Sequence, residues 1–261
     1  MASDYNAWKK LIVLQWHNAA SMRVSFLVQV FSMVVNNGGV AIMWVIFISV
    51  FGSVNGWGVA DVLASQGIVS LTFGIAFCVC HGAVTFPNDI RSGAFDSYFL
   101  RPLHMLPLVW RSYFHESTFG DLLFGVVMII IACVLSGAPI TTFALALLLA
   151  IPGAMIMLAL STLINSYSFW RPDDRFIFDM VWRVFMTPTM YPAGAFPNGM
   201  RLVYTFIIPS LLVAGIPWEA ARDHSLLIIA LVWLAAFLWL GLAALVFHAG
   251  LKRYESGGGV G

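Results

Sequence analysis

Long apolar runs separated by short polar islands dominate this chain. Six stretches, at about residues 26–52, 62–86, 119–136, 142–167, 176–191 and 226–247, come near or exceed the ~20 residues that a helix needs to cross the hydrocarbon of a bilayer. This pattern predicts an all-α polytopic membrane protein with six transmembrane helices. Ahead of the first run, residues 5–23 interleave Trp8, Leu11, Ile12, Leu14 and Trp16 with Lys9, Lys10, Gln15, His17 and Asn18. Such mixing predicts an amphipathic helix lying in the membrane interface. Its apolar core is too short for a signal peptide and no small-residue cleavage site follows, so the expectation is a non-cleaved N-terminus.

The fifth region departs from a plain span. Pro188, Pro192, Pro197, Pro209 and Pro217 punctuate it, with Gly194, Gly199 and Gly215 between them, yet 202–212 is apolar. Irregular backbone at membrane depth survives only where protein or a watery cavity satisfies it. Residues 192–215 are therefore expected to form short helices that dip back into the membrane from the outer side. The glycine-rich stretch 254–261 is expected to be a flexible tail.

Six crossings put both termini on one side, and the basic residues say which. Lys9, Lys10, Arg23, Arg91, Arg101, Arg111, Arg171, Arg175, Arg183, Lys252 and Arg253 fall with the termini, whereas Arg201 and Arg222 fall opposite, a split of 11 against 2. The positive-inside rule makes the termini cytoplasmic.

Composition agrees: 261 residues, 61% hydrophobic and 10% charged, against about 25% charged in soluble domains. No basic run forms a nucleic-acid face. The three cysteines, Cys78, Cys80 and Cys133, sit in apolar runs and imply no disulfide framework. Cys78-Val79-Cys80-His81 lacks a metal-ligand spacing on one helix face, so no metal site is expected. No phosphate loop, HExxH or GxSxG motif is present, and the polar loops are too short for a catalytic domain. The chain is not expected to be an enzyme; transport driven by ATP would require a separate subunit.

One island carries more than topology. Residues 87–102, PNDIRSGAFDSYFLRP, combine four charges and a central Gly with Ile90, Phe95, Phe99 and Leu100. Phe95 and Phe99 lie four apart and would share a helix face able to fill a partner's groove. Pro102 would end that helix.

This segment resembles the first cytoplasmic loop of the ABC-2 type permeases, in the six-span branch with an I-R-x-G-x-(L/F)-D-x-x-L-x-R-P signature. The basic pair and aromatic at Lys252-Arg253-Tyr254, the amphipathic N-terminal helix and the outer re-entrant segment are similar too. Tyr98-Phe99-Leu100 stands where a leucine pair is common. The resemblance implies the transmembrane subunit of an exporter in a bacterial cytoplasmic (inner) membrane. It would act with a second permease chain, the same or related, and an ABC ATPase subunit that holds ATP and Mg. It further implies that 88–104 is the coupling helix, with Asp89, Ile90, Arg91, Phe95, Asp96, Phe99 and Arg101 contacting the ATPase.

Polar residues inside the spans mark a candidate substrate path: Gln29, Asn36, Asn37, Glu116 and Asp121. The amides could equally serve helix packing, and the carboxylates could be ion-paired at the interface with Arg111 nearby. A second reading is an ion- or proton-coupled secondary transporter of an amphipathic small molecule. It would call for ionisable groups deeper in the spans, whereas most charges here lie at the span edges.

Overall fold

The computed structural model of the protein describes residues 23–255 apart from 114 and 173–174. The expected interfacial helix at 5–23 therefore lies almost wholly outside the described residues, as do 256–261. Among the described residues there is no strand beyond a single Val54–Trp57 bridge, and helices account for most of the chain.

Among the described residues eleven α-helices follow one another: α1 (Arg23–Phe51), α2 (Val59–Cys80), α3 (Gly82–Ser92), α4 (Asp96–Phe99), α5 (Met105–Trp110), α6 (Thr118–Ser136), α7 (Ile140–Ser166), α8 (Arg175–Thr189), α9 (Asn198–Leu202), α10 (Gly215–Arg222) and α11 (Leu226–Leu251). Five of them, α1, α2, α6, α7 and α11, are long and apolar enough to cross a membrane. Four of the expected spans coincide with helices to within a few residues. The expected 62–86 run is interrupted at His81, where α2 ends and α3 begins. The fifth expected run becomes α8, at 15 residues only about 22 Å long and thus shorter than a full hydrocarbon crossing.

Small residues set how closely these helices pack. A Cβ on Gly125 of α6 would lie 2.7 Å from the Gly67 carbonyl oxygen of α2, and one on Gly120 would lie 2.5 Å from the Val30 carbonyl of α1. Close backbone approach of this kind replaces hydrophobic driving force where the surroundings are themselves apolar. In α7, Gly153 admits the Val213 carbonyl in the same way. The core runs through α2, α6 and α7, while α1 and α11 leave most of their apolar surface exposed, as expected of helices facing lipid.

The bundle has two ends. At the one distant from α3–α5, Gly52 and Gly56 adopt φ of +83° to turn α1 into α2, and Asp61 accepts from the Gly58 N–H at 2.9 Å. The same Asp61 accepts from Trp218 Nε1 and Arg222, both at 2.9 Å, and Arg201 pairs with Glu219. These bonds tie α10 and the segment before it to the bundle. That segment, 192–215, is indeed a series of short pieces: a 3₁₀ turn at Ala193–Ala195, α9, and a π turn at Val203–Ile207. Beyond them Leu211, Leu212, Val213 and Ala214 are buried, with Ser210 Oγ donating to the Phe185 carbonyl. The end of α8 is pinned between α1 and α2, because Trp44 Nε1 and Gln66 Nε2 both donate to the Met190 carbonyl.

Candidate functional site

At the opposite end, residues 82–113 fold into a compact cap. Gly93 ends α3 with φ of +74°, a left-handed conformation that glycine adopts without a Cβ penalty, and its N–H bonds the Ile90 carbonyl. The expected helix over 88–104 is thus split. It becomes the last turn of α3, the single turn α4, and a bend through Arg101–Leu103.

The split decides which side chains face inward. Phe95 has no exposed surface and packs in an aromatic cluster with Phe86, Tyr98, Phe169 and Phe247. Its ring lies 5.6 Å from Phe169 and 5.0 Å from Tyr254. Ile90 is buried in the same cluster. Asp89 is buried too, with Oδ2 accepting from the Tyr98 hydroxyl at 2.8 Å and Oδ1 from Tyr113 at 2.9 Å. Asp96 accepts from the Tyr254 hydroxyl at 2.8 Å. So Asp89, Ile90 and Phe95, expected to face a partner, are instead committed to their own chain. The reason is tertiary: the ends of α7 and α11 bring Phe169, Phe247 and Tyr254 over the loop, where they enclose the Phe95 ring. Tyr254 likewise departs from the expected flexible tail, held by its bond to Asp96 and by stacking on Phe99 at 5.9 Å.

What remains outward is a short ridge. Phe99 is 52% exposed and Leu100 86%, with Arg101 beside them, its guanidinium 5.9 Å over the Tyr98 ring. Arg91 is half-buried and bonds Asn88 Oδ1. Next to the ridge a cavity of about 500 Å³ opens between Arg91, Trp170, Arg253 and Tyr254. Burial drives the Tyr98 hydroxyl pKa well above the ordinary phenol range, with Asp89 adding to it. Burial and then Asp96 push Tyr254 up to about 12. Both phenols stay neutral donors at cellular pH.

The substrate-path candidates fall along the α1–α6 seam. Gln29 Nε2 donates to Glu116 at 3.2 Å and Asn37 Nδ2 to Asp121 Oδ1 at 2.7 Å, so residues 87 and 84 positions apart meet as two amide–carboxylate pairs. Asn36 points away and is exposed. Nearby, the His81 and His115 rings are 4.4 Å apart. Burial and then the neighbouring His115 lower His81 to about 4, and burial lowers His115, so neither is charged at neutral pH. Among the described residues no three His, Cys, Asp or Glu side chains gather to hold a metal.

The sequence alone does not pair Tyr98 with Asp89 or Tyr254 with Asp96, and it gives no sign that Tyr113, Phe169 and Phe247 join this cap. Tyr98 and Asp89 are nine residues apart, off any helical spacing, and Tyr254 lies 158 residues from Asp96. No local pattern signals such pairs.

No match was found among curated proteins or among solved structures. The family model described as ABC-2 family transporter protein matches residues 34–258, which takes in most of α1, the other membrane-length helices, the cap and the Tyr254 anchor. With five membrane-length helices among its described residues, a polar cap and a match over most of its length, the chain belongs to the ABC-2 transporter family, as one of its membrane components.

Proposed function

We propose that the protein is the permease subunit of an ATP-driven exporter. Two permease chains, identical or related, enclose the substrate path, and each seats on a separate ATPase that binds ATP and Mg. Six crossings in a bacterial cytoplasmic membrane, with both termini inside, complete the topology. The sixth is α8 together with its continuation to Gly194, whose carbonyl accepts from Asn55 in the α1–α2 loop at 2.7 Å. Residues 192–215 then form the outer re-entrant segment.

The observation that carries this reading is the Phe99–Leu100–Arg101 ridge, apolar and cationic, on a loop otherwise seated firmly in its own chain. Large apolar side chains held out beside a charge on a rigid base suit a protein partner's groove. Closure of the ATPase dimer would press on the ridge. The aromatic cluster would pass that force to the ends of α7 and α11 through Phe169, Phe247 and Tyr254, because packed interiors transmit strain.

Co-purification from the native host in mild detergent tests it, with ATP hydrolysis measured and Phe99→Asp/Leu100→Asp as the control. A nucleotide-binding subunit should accompany the wild type and be lost from the variant. If no subunit with a nucleotide site accompanies the wild type, the reading fails and an ion-coupled carrier takes its place.

A further inference from the structure

The cavity of about 500 Å³ beside the ridge gathers charge from distant parts of the chain. Arg91, in the last turn of α3, and Arg253, beyond the end of α11, both line it, with Glu255 as the one carboxylate among its described walls. Ile90 and Phe169 add apolar surface, and Trp170, 45% exposed, adds an indole. Arg253 is exposed, as are Arg171 and Lys252 beside the lining residues. Arg91 donates to Asn88 Oδ1, and its fork of five N–H donors can serve more than one acceptor. Gly250 lets the end of α11 approach this place: a Cβ there would lie 2.5 Å from Phe169 Cδ2.

The depth of the cavity points to its occupant. With 26 residues, α11 is about 39 Å long, close to the ~40 Å of a bilayer with its headgroups, so residues just past Leu251 stand at headgroup level. Trp170 directly follows another membrane-length stretch, Ile140–Phe169, and exposed indoles favour that level. A topological preference for basic loops accounts for cations in separate loops, not for two guanidinium groups from distant segments lining one cavity.

We propose that this cleft binds the phosphate of an anionic phospholipid from the leaflet on the cap side, Arg91 and Arg253 donating to its oxygens with Trp170 beside the glycerol region. A zwitterionic headgroup carries a cation that the two arginines repel. A soluble phosphate offers the same oxygens; the depth and the apolar surface of Ile90, Phe169 and Trp170 favour the lipid. An occupied cleft braces Tyr254, which also lines it and stacks on Phe99 at 5.9 Å, so lipid composition would tune how firmly the ridge is held. That consequence for transport rests on the permease reading; the binding site does not.

Native mass spectrometry of the full-length chain with its co-purifying subunits tests this, counting bound lipid as dioleoylphosphatidylglycerol or dioleoylphosphatidylcholine is titrated in. One phosphatidylglycerol should bind about tenfold or more tighter than phosphatidylcholine. Arg91→Gln and Arg253→Gln should each weaken it about tenfold or more, the loss of a charge-assisted bond. Glu255→Gln, which removes the opposing carboxylate, should tighten it about two- to fivefold. Because Glu255 is exposed, its variant keeps the test decisive where an arginine variant fails to fold. Equal affinity for the two lipids, unchanged affinity in either arginine variant, or weaker binding in Glu255→Gln overturns the site. Inorganic phosphate that competes at the lipid's own concentration makes it a soluble-phosphate site and overturns the lipid assignment. Loss of the ATPase from Arg253→Gln with phosphatidylglycerol binding intact makes the cleft a protein contact and overturns it too. Arginine-dependent lipid binding by a chain that carries no ATPase upholds the site while sinking the ATP-driven reading.

Discussion

Replacing Asp89 by Ala should loosen the cap without touching the spans. Asp89 is 5% exposed and accepts from two phenols. Tyr98 is itself buried, at 7% exposure, so its hydroxyl would lose its carboxylate acceptor and keep only the Ser112 side chain; Tyr113 is 43% exposed and would turn to solvent. A hydrogen bond to a charged group contributes about 1.5–3 kcal/mol, and relief of the buried carboxylate offsets part of the loss, so about 2–3 kcal/mol is expected, nearly all of it through Tyr98. Hydrogen exchange of residues 86–100 in nanodiscs reads this directly, since opening by 2–3 kcal/mol speeds exchange by about 30- to 150-fold at tenfold per 1.4 kcal/mol. Removing the hydroxyl as well, in Asp89→Ala/Tyr98→Phe, should recover at least tenfold of that, because deleting both partners costs less than removing one. Exchange within threefold of wild type in Asp89→Ala, or a double variant that opens as readily as the single one, would refute the assignment of Asp89 as the buried anchor of the cap.

Two further outcomes follow from the same geometry. Gly125→Ala should destabilise the bundle by about 1–3 kcal/mol, because its Cβ would meet the Gly67 carbonyl and the Leu71 backbone at 2.7 Å and neither can yield; thermal unfolding in detergent should show a lowered Tm, whereas Gly38→Ala, facing open space, should leave it unchanged or raised. The Tyr254–Asp96 latch should be indifferent to pH up to about 10, the ordinary phenol value, and fail between there and about 12: with its folded pKa raised, Tyr254 contributes fully below the unfolded value and loses that contribution as pH climbs through the folded one. Exchange at residues 247–254 followed from pH 7 to 12 checks this, with Tyr254→Phe expected to start open and to show no such step.

The amino-acid sequence by itself determined the membrane helices. Residues 119–136, 142–167 and 226–247 became Thr118–Ser136, Ile140–Ser166 and Leu226–Leu251, because span length follows from the hydropathy of consecutive residues, a local property. The broken character of 192–215 was legible for the same reason: prolines and glycines act on the backbone where they stand. The loop motif at 87–102 was local too, and pointed to the family that the match over residues 34–258 establishes. Only the tertiary structure decided which way that loop faces. An i, i+4 spacing places Phe95 and Phe99 on one side of a turn but is silent on what lies opposite. Phe169, Phe247 and Tyr254 arrive from the far ends of α7 and α11 and bury the first ring, while Tyr254 stacks on the second and leaves it half open. The pairing of Asn37 with Asp121 was likewise beyond sequence reading, since it depends on how closely Gly120 lets α6 approach α1. Hydropathy is summed along the chain and so survives in the sequence, whereas burial and hydrogen-bond partnership are set across it, by helices that meet only once folded.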